Sequence, residues 1–313
     1  MIVYFGDGAY CYSNCTAMLL SSIGENISPS KIEVLTGIGI GAFLQKNAFK
    51  IFFSPLSTAP DTGINQALNI LGFSIKEDIS REGEPAPFDK LIQDLKISPV
   101  ILGALDMGYL TYNPLHKFLV GVDHYVIAYE FNNGEIKFHD PAGFPSMSLN
   151  FQDFELAWKA ENISYRRGNY CSWTLPKRIS SPSEKEIFEK VVTFFIKVYL
   201  QSEEQAKKEN RLFGHLAIKS LSKHISTDNL SEIEQNHLVN FALPLAARRA
   251  LDYSLFFESK DKELAKLKQL QSEEFGKSHV LAMKKDYHSL MKELQLLADI
   301  EEQFRNRLLK KYS

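Results

Sequence analysis

The first of the chain's three cysteines stands where a thiol can act as a nucleophile. A thiol attacks as the thiolate, and both a helix N-terminus and a nearby imidazolium lower its pKa. The segment Tyr12–Ile23 predicts a helix that ends at Gly24, so Cys11 precedes a first turn whose N–H groups stabilise a thiolate or an oxyanion. Cys15 lies one turn further along, and we interpret it as a small buried neighbour. The sequence therefore predicts Cys11 as the nucleophile.

A histidine and an aspartate flank the strongest hairpin signal in the sequence. Residues 124–131 are rich in β-branched and aromatic side chains, Asn132-Asn133-Gly134 predicts a turn, and residues 135–139 predict the return strand. His124 and Asp140 lie at nearly equal distances from the turn, so we expect them to be cross-strand neighbours. The carboxylate would then fix the tautomer and orientation of the imidazole. This requires Asp140 to face the His124 side of the sheet, which a one-residue register slip would reverse.

Two other histidines compete with His124 for the role of base. His139 is adjacent to Asp140 in a strand and should face the opposite side of the sheet, while His116 lies in a loop that contains a proline. The two N-terminal cysteines and His124 are also metal-ligand types, but no second ligand pair follows at the spacing of a zinc finger. We therefore expect a site for nucleophilic and acid–base chemistry, with no metal and no cofactor.

The elements that must position these residues occupy the first half of the chain. Short apolar runs alternate there with Gly, Pro and Asn, and helices precede strands. Besides the helix after Cys11 and the hairpin, the patterns predict helices at Pro29–Leu35, Gly63–Leu71, Phe88–Leu95 and Asn150–Ala160, and strands at Val100–Leu105 and Tyr170–Thr174. This order predicts an α+β domain with an antiparallel sheet. The segment 37–41, Gly-Ile-Gly-Ile-Gly, lacks the context of a phosphate loop, and we interpret it as a flexible turn near the cleft.

The sequence changes character near Ser180. Gly and Pro become rare, and Glu, Lys and Leu dominate. Ser183 is a candidate N-cap, followed by acidic residues in the first turn. The pattern predicts helices at Ser183–Ser202, at Glu204–Lys223, at Leu230–Phe257 with a bend at Pro244, and two more between Lys260 and Ser313. We therefore expect two domains, residues 1–178 and an all-helical bundle at 179–313.

Composition and charge exclude some classes of function. Apolar residues make up 44% and charged residues 24% of the 313 residues, as in ordinary globular proteins. The net charge of -2 gives no general reason to expect a nucleic acid or an anionic membrane as partner. Residues 1–10 lack a basic leader, and an odd number of cysteines does not suit a disulfide framework. We expect a cytoplasmic protein.

The motifs together resemble a known group of enzymes. Cys11 before a helix, then Asp-His-Tyr-Val-Ile at 123–127, then His-Asp-Pro-Ala-Gly at 139–143, resemble the papain-like clan of cysteine peptidases, particularly bacterial peptidases that cut double-glycine leaders. Within the clan, the chain more closely resembles the N-terminal domain of butirosin biosynthesis protein H and its relatives over residues 1–175. The resemblance implies a papain-like catalytic domain at 1–178, with Cys11 as thiolate, His124 as base and Asp140 as orienting carboxylate.

The chain departs from the papain-like pattern at the oxyanion hole. Papain-like peptidases usually place a glutamine several residues before the cysteine, where it supplies a hydrogen-bond donor, but residues 4–8 contain none. The backbone N–H of Cys11 remains as a donor. Asn14, Tyr10 and Tyr12 are candidates for a second one.

Three hypotheses about function follow. The butirosin-type resemblance implies an acyltransferase that takes an acyl group from a carrier-protein thioester and delivers it to an amine of a small metabolite. The second hypothesis is a cysteine peptidase or amidase, which differs in its second substrate: water for a peptidase, an amine or alcohol for a transferase. The third is a non-catalytic protein whose helical half binds a partner or dimerises. The long amphipathic helices are compatible with a homodimer under any of the three.

Overall fold

The computed structural model describes residues 2–6, 10–45, 49–227 and 230–313. Its strands are β1 Phe43–Leu44, β2 Ile51–Phe52, β3 Phe73–Ser80, β4 Val100–Asp106, β5 Asp123–Asn132, β6 Glu135–Asp140, β7 Phe144–Asn150 and β8 Asn169–Arg178. Its helices are α1 Cys11–Ser21, α2 Pro29–Thr36, α3 Pro60–Ile70, α4 Phe88–Leu95, α5 Phe151–Lys159, α6 Glu184–Lys208, α7 His215–Thr227, α8 Glu232–His237, α9 Leu243–Glu258, α10 Lys262–Lys284 and α11 Tyr287–Tyr312. None of the helices in these ranges combines the length and apolar character that crossing a bilayer requires.

The chain divides into two compact units, and the division is not a single cut. The first unit comprises residues 1–32 and 60–181, and the second comprises 33–59 and 182–313. Residues 33–59 therefore belong to the second unit, whereas the sequence pattern predicts them in the first domain, 1–178.

The first unit is built on a six-stranded antiparallel sheet with the order β3-β8-β4-β5-β6-β7. All residues of β4 are buried, as expected for a continuous apolar run between two neighbouring strands. Helix α1 contacts β4 and β5, and α5 covers β4. The predicted α+β class is confirmed: α1 begins at Cys11, and the antiparallel sheet carries His124 on β5.

Two strands of this sheet, β3 and β7, are not predicted from the sequence pattern. β3 has no clean alternation of buried and exposed residues, and β7 is mostly exposed and contains Pro145. The predicted helix over 150–160 is present as α5, and the Asn150 side chain accepts a hydrogen bond from the Asp153 N–H at 3.0 Å, as expected of an N-cap.

The second unit is helical apart from the short β1–β2 pair. Helix α6 begins with a capping box between Ser183 and Glu186. The prediction of one helix over 204–223 is wrong, because α6 ends at Lys208 and α7 begins at His215. Asn210 and Gly214, both with positive φ, lie between them. The predicted long helix over 230–257 is divided by a π-helical turn at Leu238–Ala242, just before Pro244.

The glycines of segment 37–41 allow close packing within the second unit. A Cβ on any of the three would lie 2.3–2.6 Å from an aromatic ring, those of Phe194, Tyr253 and Phe213 for Gly37, Gly39 and Gly41 respectively. The Gly41 N–H also donates to Oε1 of Glu301 at 3.1 Å. The expectation of a flexible turn is therefore wrong, because this segment is close-packed.

Candidate active site

Cys11 is the first residue of α1 and is partly exposed. The first hydrogen bond of the helix runs from the N–H of Asn14 to the carbonyl of Tyr10 at 2.8 Å. Tyr10 itself is buried and has left-handed backbone angles, φ 60° and ψ 48°. Such a conformation costs a bulky residue on the order of 1–3 kcal/mol, which surrounding packing must offset. The strained turn places Cys11 at the helix N-terminus.

The β5–β6 hairpin brings His124 and Asp140 together. Its two-residue turn is Asn133–Gly134, where φ is 52° and 82°, as in a type I′ turn. Nε2 of His124 donates to Oδ1 of Asp140 at 2.6 Å, and the two side chains are only 5% and 0% exposed. The cross-strand neighbours expected from the sequence are in direct contact.

A β-bulge at Tyr129 places Asp140 on the His124 face of the sheet. Counted from the turn, a regular hairpin would pair Asp140 with Ile127, whose side chain points away from the His124 face. The pairing instead shifts by one residue at Tyr129, so that Ile127 lies opposite His139. Asp140 shifts with it and shares the face of His124. A one-residue shift in register, which in a regular hairpin would separate the two side chains, here brings them to the same face.

His124 connects the carboxylate to the thiol. Because Nε2 is bonded to Asp140, Nδ1 is the ring nitrogen left for the hydrogen bond between His124 and Cys11. Burial alone would lower the pKa of His124, but the charge of Asp140 and the hydrogen bonds with Asp140 and Cys11 raise it to about 10. His124 therefore carries its proton at neutral pH, next to the thiol.

Asp140 receives hydrogen bonds from three directions. Oδ1 accepts from His124 and from the Ala142 N–H at 2.6 Å, and Oδ2 accepts from the Tyr112 hydroxyl at 2.6 Å. Burial would raise the pKa of Asp140, but His124, Tyr112 and Ala142 hold it below the usual range of a carboxyl. Nothing in the residue pattern points to Tyr112, which lies in a loop 28 residues before Asp140.

The other two cysteines lie in different surroundings. Cys15 is fully buried, as expected, and burial raises the pKa of its thiol well above the usual value. Burial also raises the pKa of Cys171, to about 12. A neutral, buried thiol is a poor nucleophile, so Cys11 is the cysteine best placed for chemistry.

The competing histidines are occupied elsewhere. Nδ1 of His139 accepts a hydrogen bond from the Ser146 N–H at 3.0 Å, and its ring packs on Tyr129 with 4.6 Å between centroids. Nδ1 of His116 lies 3.0 Å from the carbonyl of Gly108.

The candidate oxyanion donors Tyr10, Tyr12 and Asn14 are all buried, and the Tyr12 ring packs edge-on against Tyr125. Their role stays a prediction. Across the described ranges, no three His, Cys, Asp or Glu side chains are grouped as metal ligands would be.

Comparison with known proteins gives one relative over the whole length. The chain is 42% identical over 310 residues to the Bacillus subtilis (strain 168) protein "Uncharacterized protein YobF", covering 99% of each chain. Residues 207–309 match the family model of the YobF C-terminal domain. Among solved structures, the peptidase domain of Streptococcus ComA, a bi-functional ABC transporter involved in quorum sensing, is 14% identical, with a TM-score of 0.35 over 58% of this chain and 98% of that one.

Proposed function

The chain belongs to the YobF family, and we propose that it is a cysteine-dependent acyltransferase. In this proposal it takes an acyl group from a carrier-protein thioester onto Cys11 and passes it to an amine of a small metabolite. The observation that carries the proposal is the continuous set of contacts from the partly exposed Cys11 through His124 to the buried Asp140. This set supplies a nucleophile, a proton carrier and an orienting carboxylate in one place.

The first half-reaction forms an acyl-enzyme. The resting state in this proposal is an ion pair of the Cys11 thiolate and the His124 imidazolium. The thiolate attacks the thioester carbonyl, a new carbon–sulfur bond forms, and the negative charge moves to the carbonyl oxygen. When this tetrahedral species collapses, the bond to the carrier's sulfur breaks. The departing thiolate takes the proton held by His124. The Cys11 N–H at the start of α1 is the proposed oxyanion donor.

The second half-reaction uses His124 as a base. Two contributions that raise the pKa of His124, its hydrogen bond with Cys11 and the charge of Cys11, are lost once the sulfur is acylated. The pKa of His124 therefore falls, and the imidazole, already neutral after the first step, stays neutral and is available to accept the proton of the incoming amine. The amine nitrogen forms a bond to the acyl carbon, the bond to Cys11 breaks, and the ion pair is restored.

The choice of an amine as acceptor is supported by the butirosin-type resemblance. Water would attack the same acyl-enzyme with the same residues, and the protein would then be a peptidase or amidase. The two activities differ in what limits the lifetime of the acyl-enzyme, which is directly measurable.

The first test is alkylation by iodoacetamide across pH, followed by intact mass. We expect single-site labelling of the wild type at or below neutral pH, absent in Cys11→Ala, slowed in His124→Ala and retained in the matched control Cys15→Ala. Labelling that rises only near the free-thiol pKa of about 8.5, or that maps to another cysteine, would count against any catalytic role and favour a binding protein.

The second test follows the acyl-enzyme itself. A simple thioester should add one acyl mass at Cys11. For a transferase, this mass disappears slowly in buffer and much faster on addition of primary amines, with formation of the amide. Release at the same rate with and without amine would instead identify a hydrolase.

A further inference from the structure

We infer that Tyr112 is a positioning residue of this site, which holds the Asp140 carboxylate ionised and turned toward His124. The inference rests on the proposed function, in which Asp140 orients the base. It goes beyond it by assigning a fourth side chain, in a different loop, to the geometry of the site.

The hydrogen bonds of Asp140 leave one of its oxygens dependent on Tyr112. The Asp140 side chain is fully buried, and Oδ1 is shared by His124 and the Ala142 N–H. Oδ2 accepts from the Tyr112 hydroxyl at 2.6 Å. Without this hydroxyl, Oδ2 keeps no hydrogen-bond donor among the residues that the structure describes, and we expect the carboxyl group to rotate or gain a proton. Either change weakens the bond to His124.

Tyr112 is held firmly enough to act in this way. Its ring packs against Phe138 and Phe144, with centroids 5.4 and 5.5 Å away. Burial and the neighbouring Asp140 charge raise the pKa of Tyr112. The phenol therefore keeps its proton and remains a hydrogen-bond donor to Asp140 at every working pH.

The loop that carries Tyr112 is fastened at both ends by one buried carboxylate. Oδ1 of Asp106 accepts from the N–H groups of Gly108 and Gly121, each at 2.9 Å, and Oδ2 accepts from the Asn162 side chain at 2.8 Å. Because residues 107–122 are anchored where they leave and re-enter the sheet, the position of Tyr112 is fixed relative to β5 and β6.

A pH titration followed by ¹³C NMR, on protein whose aspartate side-chain carboxyl carbons are ¹³C-labelled, tests the inference without relying on activity. The Asp140 resonance is assigned by its absence from Asp140→Asn. In Tyr112→Phe, we expect the Asp140 midpoint to rise by about one to two pH units, the size expected from loss of a hydrogen bond to a charged group. Tyr4→Phe is the matched control, since its hydroxyl donates to the main-chain carbonyl of Asp140 at 2.7 Å. We expect it to leave the midpoint in place.

An unchanged midpoint in Tyr112→Phe, or an equal shift in Tyr4→Phe, would overturn the inference. If Tyr112→Phe does not fold, 3-fluorotyrosine at position 112 keeps the ring and makes the phenol a stronger donor, so the midpoint should fall; a constant or higher value would count against us.

Kinetics then separate positioning from a purely electrostatic effect. We expect acyl transfer by Tyr112→Phe to lose about tenfold in kcat with little change in KM, as for a misaligned proton carrier. A shifted titration with unchanged kcat would reject the positioning role. A wild type that transfers no acyl group would reject the proposed function, whereas the titration would still decide whether Tyr112 holds Asp140.

Discussion

Each unit of the molecule buries an ion pair, and the two pairs are built differently. In the first unit, His124 and Asp140 are in direct contact at 2.6 Å. In the second, Nζ of Lys268 lies 3.8 Å from Oε2 of Glu301, although these side chains are only 2% and 3% exposed. Burial lowers the pKa of Lys268 more than Glu301 raises it, whereas Asp140, together with Cys11, raises the pKa of His124 to about 10 against the effect of burial. Similar burial thus gives shifts of opposite sign.

The partners of the two carboxylates explain the difference. Glu301 directs one oxygen to the Tyr199 hydroxyl at 2.6 Å and the Gly41 N–H, and the other to the Gln271 amide at 2.9 Å. Lys268 itself donates to Gln271 at 2.8 Å and lies over the Phe304 ring. The second pair therefore joins α6, α10, α11 and segment 33–59 through neutral donors, and the first pair concentrates its charge on one imidazole beside a thiol.

The largest expected effect is on chemistry. Asp140→Asn removes the charge and the preferred acceptor of His124, and we expect acyl transfer to fall by about 10⁴-fold while the fold is retained. Glu301→Gln is the matched change in the second unit and should leave the pH profile of Cys11 alkylation unaltered. Equal losses in both variants would show that the two pairs do not differ in role.

For stability, we expect the ion pair of the second unit to matter more than that of the first. Glu301→Ala leaves Lys268 buried without a carboxylate and should lower the free energy of unfolding by about 3–5 kcal/mol. Adding Lys268→Met should recover most of this loss, because an apolar side chain needs no partner there. Urea denaturation of the single and double variants measures both values, and a double variant as unstable as Glu301→Ala would contradict the explanation.

The pH dependence of stability should separate the two pairs. The folded-state pKa of His124, about 10, lies above its ordinary value, so its stabilisation is present below about pH 6.5 and is lost as pH rises toward 10. The pKa of Lys268 is lowered, so its contribution increases with pH up to its ordinary value of about 10.4.

Unfolding free energies measured from pH 6 to 10.5 check these signs. We expect Asp140→Asn to remove a contribution to the unfolding free energy that decreases with rising pH, on the order of a few kcal/mol. Lys268→Met should remove a contribution that increases with pH. If the removed contributions changed with pH in the same direction in both variants, the comparison would be refuted.

The smallest expected effect is that of Tyr199→Phe. Removal of this hydroxyl leaves Oε1 of Glu301 with the Gly41 N–H as its remaining described donor. We expect a loss of about 1–3 kcal/mol in the free energy of unfolding, typical of a hydrogen bond to a charged group. Thermal denaturation at neutral pH measures it, and a stability equal to that of the wild type would show that Glu301 does not need the phenol.

Local patterns were sufficient to predict much of the first unit. The helix after Cys11, the buried strand β4 and the hairpin follow from hydrophobic periodicity and the Asn-Gly turn, and they bring the three expected site residues together. The sequence could not show the bulge at Tyr129, because nothing in the residue types of β5 specifies where pairing shifts. Tyr112 was missed for a related reason: its contact with Asp140 depends on the path of a loop.

Longer-range relations were also hidden. Segment 33–59 is apolar and rich in glycine, which suits packing in either unit. Its place in the second unit depends on aromatic rings and on the Glu301 carboxylate, all more than 150 residues away along the chain. The interruption between α6 and α7 was open to prediction, since Asn210 and Gly214 are both residues that favour positive φ.

The bulge also gives a parity rule for related sequences. Around a two-residue turn, partners in a regular hairpin are one even-numbered and one odd-numbered residue, as Asn132 and Glu135 are. His124 and Asp140 are both even, so an even separation between this histidine and aspartate requires an inserted residue within the hairpin. A relative that lacks the residue corresponding to Tyr129 would have an odd separation and could make the same contact with no bulge. Gain or loss of a single residue in this hairpin should therefore be accompanied by gain or loss of a bulge wherever the pair is kept.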